Sequence, residues 1–203
     1  MMVETEQQPL IGQVLRASTV GFVCGTRSQQ IEHPAFGAFV RTRHDPAASL
    51  DLIGVIHAIS IDDDPLVRQM ILANNMTQAT IRDQRENRMV PLEISVLNVG
   101  YLQDGRVHQT LPPRPPLSLD PVLLCDAATV ARFTERLDFL RLVLSASDVP
   151  AEQLLAAALK FAAEARPEAE RRAFLVEAGR LLAGLLSQDL PRLQHVLQLI
   201  RPA

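Results

Sequence analysis

Along this chain the spacing of apolar positions changes once, near Cys125. From Leu10 to about Leu124 they fall in short runs with β-branched members, separated by Gly, Pro, Asp and Asn, which is the pattern of short strands. The runs are Leu10 to Arg16, Thr19 to Cys24, Gly37 to Arg43, Leu50 to Ile59, Val90 to Leu102, Val107 to Leu111 and Val122 to Leu124. Gly12, Gly37, Gly54 and Gly100 lie within or beside them, where a missing side chain permits the bulges and bends that close small barrels. A closed or partly closed antiparallel barrel is the expected architecture.

Beyond Cys125 the period is helical. Val130, Phe133, Leu137, Leu140 and Leu144 predict a helix over Ala127 to Leu144. Ser147-Asp148-Val149-Pro150 offers capping side chains and a first-turn proline to a second helix, ending near Ala165. A third starts at Pro167 and carries Phe174, Ala178, Leu181, Leu182 and Leu185. A fourth starts at Asp189 and Pro191 and carries Leu193, Val196, Leu197 and Ile200. Short loops between them argue for an antiparallel helical bundle. Gly179 and Gly184 each cost roughly 1 kcal/mol relative to alanine inside a helix, a cost that close helix packing would offset.

The predicted fold class is therefore α+β. A disordered N-terminus at 1–9 precedes a small barrel over 10–125, and a helical C-terminal part occupies 126–203. An irregular or helical insertion at about 64–89 interrupts the barrel. Asp64-Pro65 starts a short segment with Leu66, Met70 and Ile71 on one face, and Asn74 to Arg88 follows as a polar, exposed excursion.

A chain of 203 residues with 47% hydrophobic content can bury a substantial core. No apolar run approaches the roughly 18 residues that span a bilayer, and Met1 to Pro9 is polar and acidic where a leader would be basic and then apolar. The expectation is a cytoplasmic protein. Cys24 and Cys125, far apart in sequence, are expected as free buried thiols, with a disulfide as the other arrangement. The net charge of −3 provides no global attraction to nucleic acid, so any such contact would be local.

Lys160 is the only lysine and has no glycine near it, which excludes a phosphate-binding loop of the G-x-x-x-x-G-K-[ST] kind. It also argues against a nuclease that needs a lysine beside paired acids. Asp62-Asp63-Asp64 lacks the alternating ligands, glycine and terminal glutamate of a calcium loop, and reads as a solvated turn capping the helix at Pro65. His33, His44, His57, His108 and His195 show no zinc-like spacing with one another or with the cysteines. No G-x-S-x-G elbow is present. No catalytic, cofactor or metal residues are assigned, and an enzyme with an unrecognised site remains as a further reading. Arg82, Arg85 and Arg88, with Arg114 in a proline corner, are the candidate contacts for a partner or for nucleic acid, although Asp83 and Glu86 interleave with the first three. Leu111-Pro-Pro-Arg-Pro-Pro-Leu117 reads as a stiff extended connection.

The order of several motifs resembles the HAS barrel, the N-terminal domain of HerA-type DNA-translocating ATPases. The motifs are Ile11-Gly12-Gln13-Val14 with Ala17-Ser18-Thr19, Phe36-Gly37-Ala38-Phe39-Val40, Ile53-Gly54-Val55-Ile56, Glu93 to Tyr101 and Leu111 to Pro116, followed by a capped turn at Asp126. In those proteins the barrel stacks around a hexameric ring and helps dock the nuclease NurA. The resemblance covers roughly Leu10 to Phe133, and helices stand where the ATPase domain would follow, so ring formation, ATP turnover and translocation are not carried over. What it implies is a non-enzymatic adaptor without a cofactor, binding a HerA-type ATPase, a NurA-type nuclease or further copies of itself. A nucleic-acid-binding barrel acting alone is the alternative.

Overall fold

The computed structural model describes residues 8–28, 34–45, 50–61, 72 and 90–201. The expected helix at Asp64-Pro65, the excursion to Arg88 and most of the N-terminal segment lie outside the described residues. Each apolar run of the first half forms a strand: β1 (Leu10–Ala17), β2 (Gly21–Ser28), β3 (Phe39–Asp45), β4 (Leu50–Ile61), β5 (Val90–Gln103), β6 (Arg106–His108) and β7 (Pro121–Leu124). All pairings are antiparallel, in the order β2-β1-β7-β3-β4-β5, and a β2–β5 ladder from Gly21↔Leu97 to Ser28↔Val90 closes the ring. The result is a closed six-stranded barrel, with β6 added to the far end of β5. Asp104 and Gly105, both at positive φ, make the two-residue turn between β5 and β6, as this hairpin geometry requires.

Alternation along the strands sorts two cores. Val14, Phe22, Cys24, Val40, Ile56, Ile94 and Val96 fill the barrel lumen, while Phe39, Ile53, Val55, Leu97, Val99 and Cys125 point outward beneath the helices. A one-residue slip would exchange these sets, so burial on both sides fixes the register. The two cysteines belong to different cores and are both free and buried. Burial pushes the Cys24 thiol up to about 12 and raises that of Cys125 as well.

Five helices follow among the described residues: α1 (Ala127–Phe133), α2 (Leu140–Ser145), α3 (Ala151–Glu164), α4 (Glu168–Leu185) and α5 (Leu190–Ile200). The single helix expected over Ala127 to Leu144 is broken at 134–139, and the cause lies far away in sequence. The Gln109 side-chain amide donates to the carbonyls of Phe133 (2.5 Å) and Arg136 (2.8 Å), and its oxygen accepts from the Phe139 amide (2.8 Å). One side chain thus satisfies backbone groups that a continuous helix would have satisfied itself.

Asp126 caps α1, accepting from the Thr129 amide at 2.6 Å, and Asp189 caps α5 through Arg192 at 3.1 Å. The expected cap on α3 is not made. Pro150 is its N-cap residue and no side-chain hydrogen bond closes that end, because Ser147 and Asp148 precede the cap by too many residues. Of the two α4 glycines, Gly179 lies against α5, where an added Cβ would meet Leu197 at 3.3 Å. Gly184 faces open space and gains nothing from close packing.

Phe39 on β3 anchors the helices to the barrel wall, its ring lying 5.8–6.1 Å from those of Phe133, Phe139 and Phe161. Beside it, Gly37 adopts φ +84°, and a Cβ there would sit 2.4 Å from that of Ala157 on α3. Arg166, just past α3, joins three helices. It donates to Ala162 O (2.6 Å), Ala131 O (3.2 Å), Thr134 O (3.1 Å) and Thr134 Oγ1 (2.8 Å), and its guanidinium lies 3.8 Å from the centre of the Phe174 ring.

Candidate functional site

Among the described residues the helices that follow the barrel cover its β3–β4–β5 side and stop short of β1 and β2. Where they stop, a cleft of about 820 Å³ opens between the outer wall of β2, β5 and β4 and the α2–α3 connection at 145–149. Its apolar lining includes Val23 and Leu97 on the barrel wall and Val149 on the connection. The β4–β5 ladder carries a bulge between Ile56 and Ala58, opposite Ser95, and this irregularity places His57 beside Ser95 in the cleft lining.

The polar groups of the cleft divide into two kinds. Ser18 Oγ is consumed by the β1–β2 turn, accepting from the amides of Val20 and Gly21 at 3.2 Å, and that turn is pinned by the buried Asn98 amide, which donates to Thr19 O at 3.0 Å. Arg16 is paired with Glu93 at 2.6 Å. His57 and Ser95, both half-buried, and Asp148 on the opposite wall make no hydrogen bond or ion pair among the described residues. Burial lowers the His57 pKa, which favours the neutral imidazole, with one ring nitrogen a donor and the other an acceptor.

Of the residues weighed from sequence, His57 lines the cleft, whereas His108, Arg114 and His195 do not. Arg82, Arg85 and Arg88 lie outside the described residues, as do Asp62-Asp63-Asp64 and His33. Arg114 is exposed in the stretch between β6 and β7, where Pro112 and Pro116 are buried and no regular secondary structure forms. His108 stacks on Tyr101 across the β5–β6 hairpin, with ring centres 4.7 Å apart. His195 is exposed on α5, near the Glu152–Arg192 pair that ties α3 to α5. Burial pushes the Asp126 carboxyl up, but hydrogen bonds from the Thr129 amide and hydroxyl and from Gln8, with the charge of Arg41, together hold it below the usual carboxylate range.

Among the described residues no three His, Cys, Asp or Glu side chains gather as a metal site would require, and no helix is long and apolar enough to cross a membrane. The sequence did not single out the cleft, since His57 and Ser95 come together through strand pairing and a bulge. Among the described residues, fold and site define a closed antiparallel β-barrel with a one-sided helical cover and an open cleft at the seam. Compared with known proteins, the chain matches no family model and no curated protein.

Proposed function

We propose that this chain is a non-enzymatic, cytoplasmic docking protein, a HAS-like barrel with a helical bundle, that binds a HerA-type DNA-processing ATPase or its NurA-type nuclease. The observation that carries the docking reading is the one-sided cover of the barrel. Among the described residues no helix lies over the β1–β2 side or closes the seam cleft, and Leu15, Leu117 and Leu119 stand 51%, 59% and 70% exposed on or beside β1. Apolar side chains grouped on an outer wall are a feature of contact surfaces. Support for the HerA-type partner is the ordered set of motifs, whose Ile11 to Val14, Ile53 to Ile56 and Glu93 to Tyr101 segments lie on β1, β4 and β5 of a closed barrel.

The experiment is affinity capture with tagged protein from native lysate at moderate salt after nuclease digestion, with identification by mass spectrometry. Recovery of a HerA-type ATPase or a NurA-type nuclease is the expected result. Loss of all partners on nuclease digestion would favour the nucleic-acid-binding barrel, and recovery of the bait alone would remove the docking reading.

A further inference from the structure

We propose that the seam cleft takes an extended peptide segment of the docking partner, one that places an apolar side chain next to a lysine or arginine. This inference rests on the docking reading and deepens it.

Shape limits how a partner can engage here. The barrel is closed through β2–β5, so this wall has no free strand edge for backbone pairing, and recognition falls to side chains. The cleft volume of about 820 Å³ lies in the range that binding sites use, and the exposed Ser147 and Asp148 on its rim leave it open to solvent, as a passing chain needs.

Hydrogen-bonding capacity comes next. The His57 imidazole and the Ser95 hydroxyl, neighbours on paired strands, are half-buried and have no protein partner among the described residues, so their hydrogen-bonding capacity faces the open cleft. A neutral imidazole and a hydroxyl each both donate and accept, which complements the carbonyl and amide of a peptide unit. Val23, Leu97 and Val149 beside them supply the apolar contact.

Charge selects the remaining feature. Glu93 already neutralises Arg16 at 2.6 Å, whereas Asp148 on the facing wall has no cationic partner among the described residues. The uncompensated charge is therefore negative, and its complement is a basic side chain.

The test is selection of a phage-displayed random peptide library on the full chain, with counter-selection on Asp148→Arg. Enriched peptides are expected to share an apolar residue adjacent to Lys or Arg. A fluorescein-labelled representative should bind more weakly as salt rises, lose about tenfold or more in affinity to Asp148→Arg, in line with loss of one charge-assisted contact, and lose about threefold to tenfold to His57→Ala, in line with loss of a neutral hydrogen bond. Ser95→Trp, which fills the cleft without removing charge, should abolish binding while thermal melts show all variants folded. The proposal is overturned if no peptide distinguishes wild type from Asp148→Arg, or if selected peptides bind all three variants as they bind wild type. The library does not depend on the natural partner, so the two readings separate. Partner capture that survives all three substitutions sinks the cleft and leaves docking intact. Cleft-dependent peptides without capture of the ATPase or nuclease support the cleft and remove the HerA-type assignment.

Discussion

Removing the Arg166 guanidinium should loosen the helical layer. Arg166→Met keeps most of the aliphatic stem and deletes four hydrogen bonds, to Ala162 O, Ala131 O, Thr134 O and Thr134 Oγ1, together with the contact over Phe174. A hydrogen bond to a charged group contributes about 1.5–3 kcal/mol, and a cation over an aromatic face about 0.5–2 kcal/mol. Two effects reduce the sum. Burial disfavours the charged guanidinium, partly offset by the fields of Glu170, Glu135 and Glu177, and the residue is only half-buried, so water replaces part of what is lost. The expected net loss is about 2–3 kcal/mol, which for a chain of this size lowers the melting temperature by about 4–12 °C. Urea unfolding followed by circular dichroism measures it directly. Arg166→Lys should recover little, because an ammonium on a thin stem cannot fork between the ends of α1 and α3. A loss below about 0.5 kcal/mol, or full rescue by lysine, would refute the assignment of Arg166 as the tie between these helices.

Three further outcomes are expected. Gly37→Ala should cost about 2–4 kcal/mol in chemical unfolding, since it adds a left-handed strain to an overpacked contact with Ala157; a neutral result would mean that the barrel and α3 are not pressed together there. Leu119 adopts φ +72° while 70% exposed, so Leu119→Asn should raise stability by about 0.5–1 kcal/mol, and a loss would show that the leucine is held by packing. The His57 pKa is depressed in the folded state, so the unfolded chain takes up its proton first as pH falls. Stability should decline from about pH 6.5 down to the folded pKa. His57→Gln should flatten that part of the stability–pH profile, and an unchanged profile would show that another group sets it.

The barrel was legible because its strands are short, β-branched and punctuated. All seven runs became strands, with ends displaced by a few residues, as at β2, which starts at Gly21 and runs on to Ser28. Helices α3 to α5 followed from their apolar spacing and from prolines near their starts, and Asp126 and Asp189 acted as the caps their chemistry suggests. Two of the misses come from long-range contact, whereas the absent α3 cap is a matter of local spacing. The break at 134–139 depends on Gln109, a residue in another element, and nothing local in that apolar pattern announces it. The cleft likewise depends on a bulge that sets His57 beside Ser95 and on a connection that brings Asp148 across from them. Single-strand periodicity carries no record of which outward residues a later helix will leave uncovered.

Association with a DNA-processing assembly through the barrel can be measured with purified components. Sedimentation velocity of the purified chain, mixed in turn with a purified HerA-type ATPase and NurA-type nuclease from the same genome, tests it most directly. The chain is expected to co-sediment with one of them in fixed stoichiometry, without nucleic acid present. Sedimentation at its own rate in both mixtures, at concentrations well above micromolar, would contradict it.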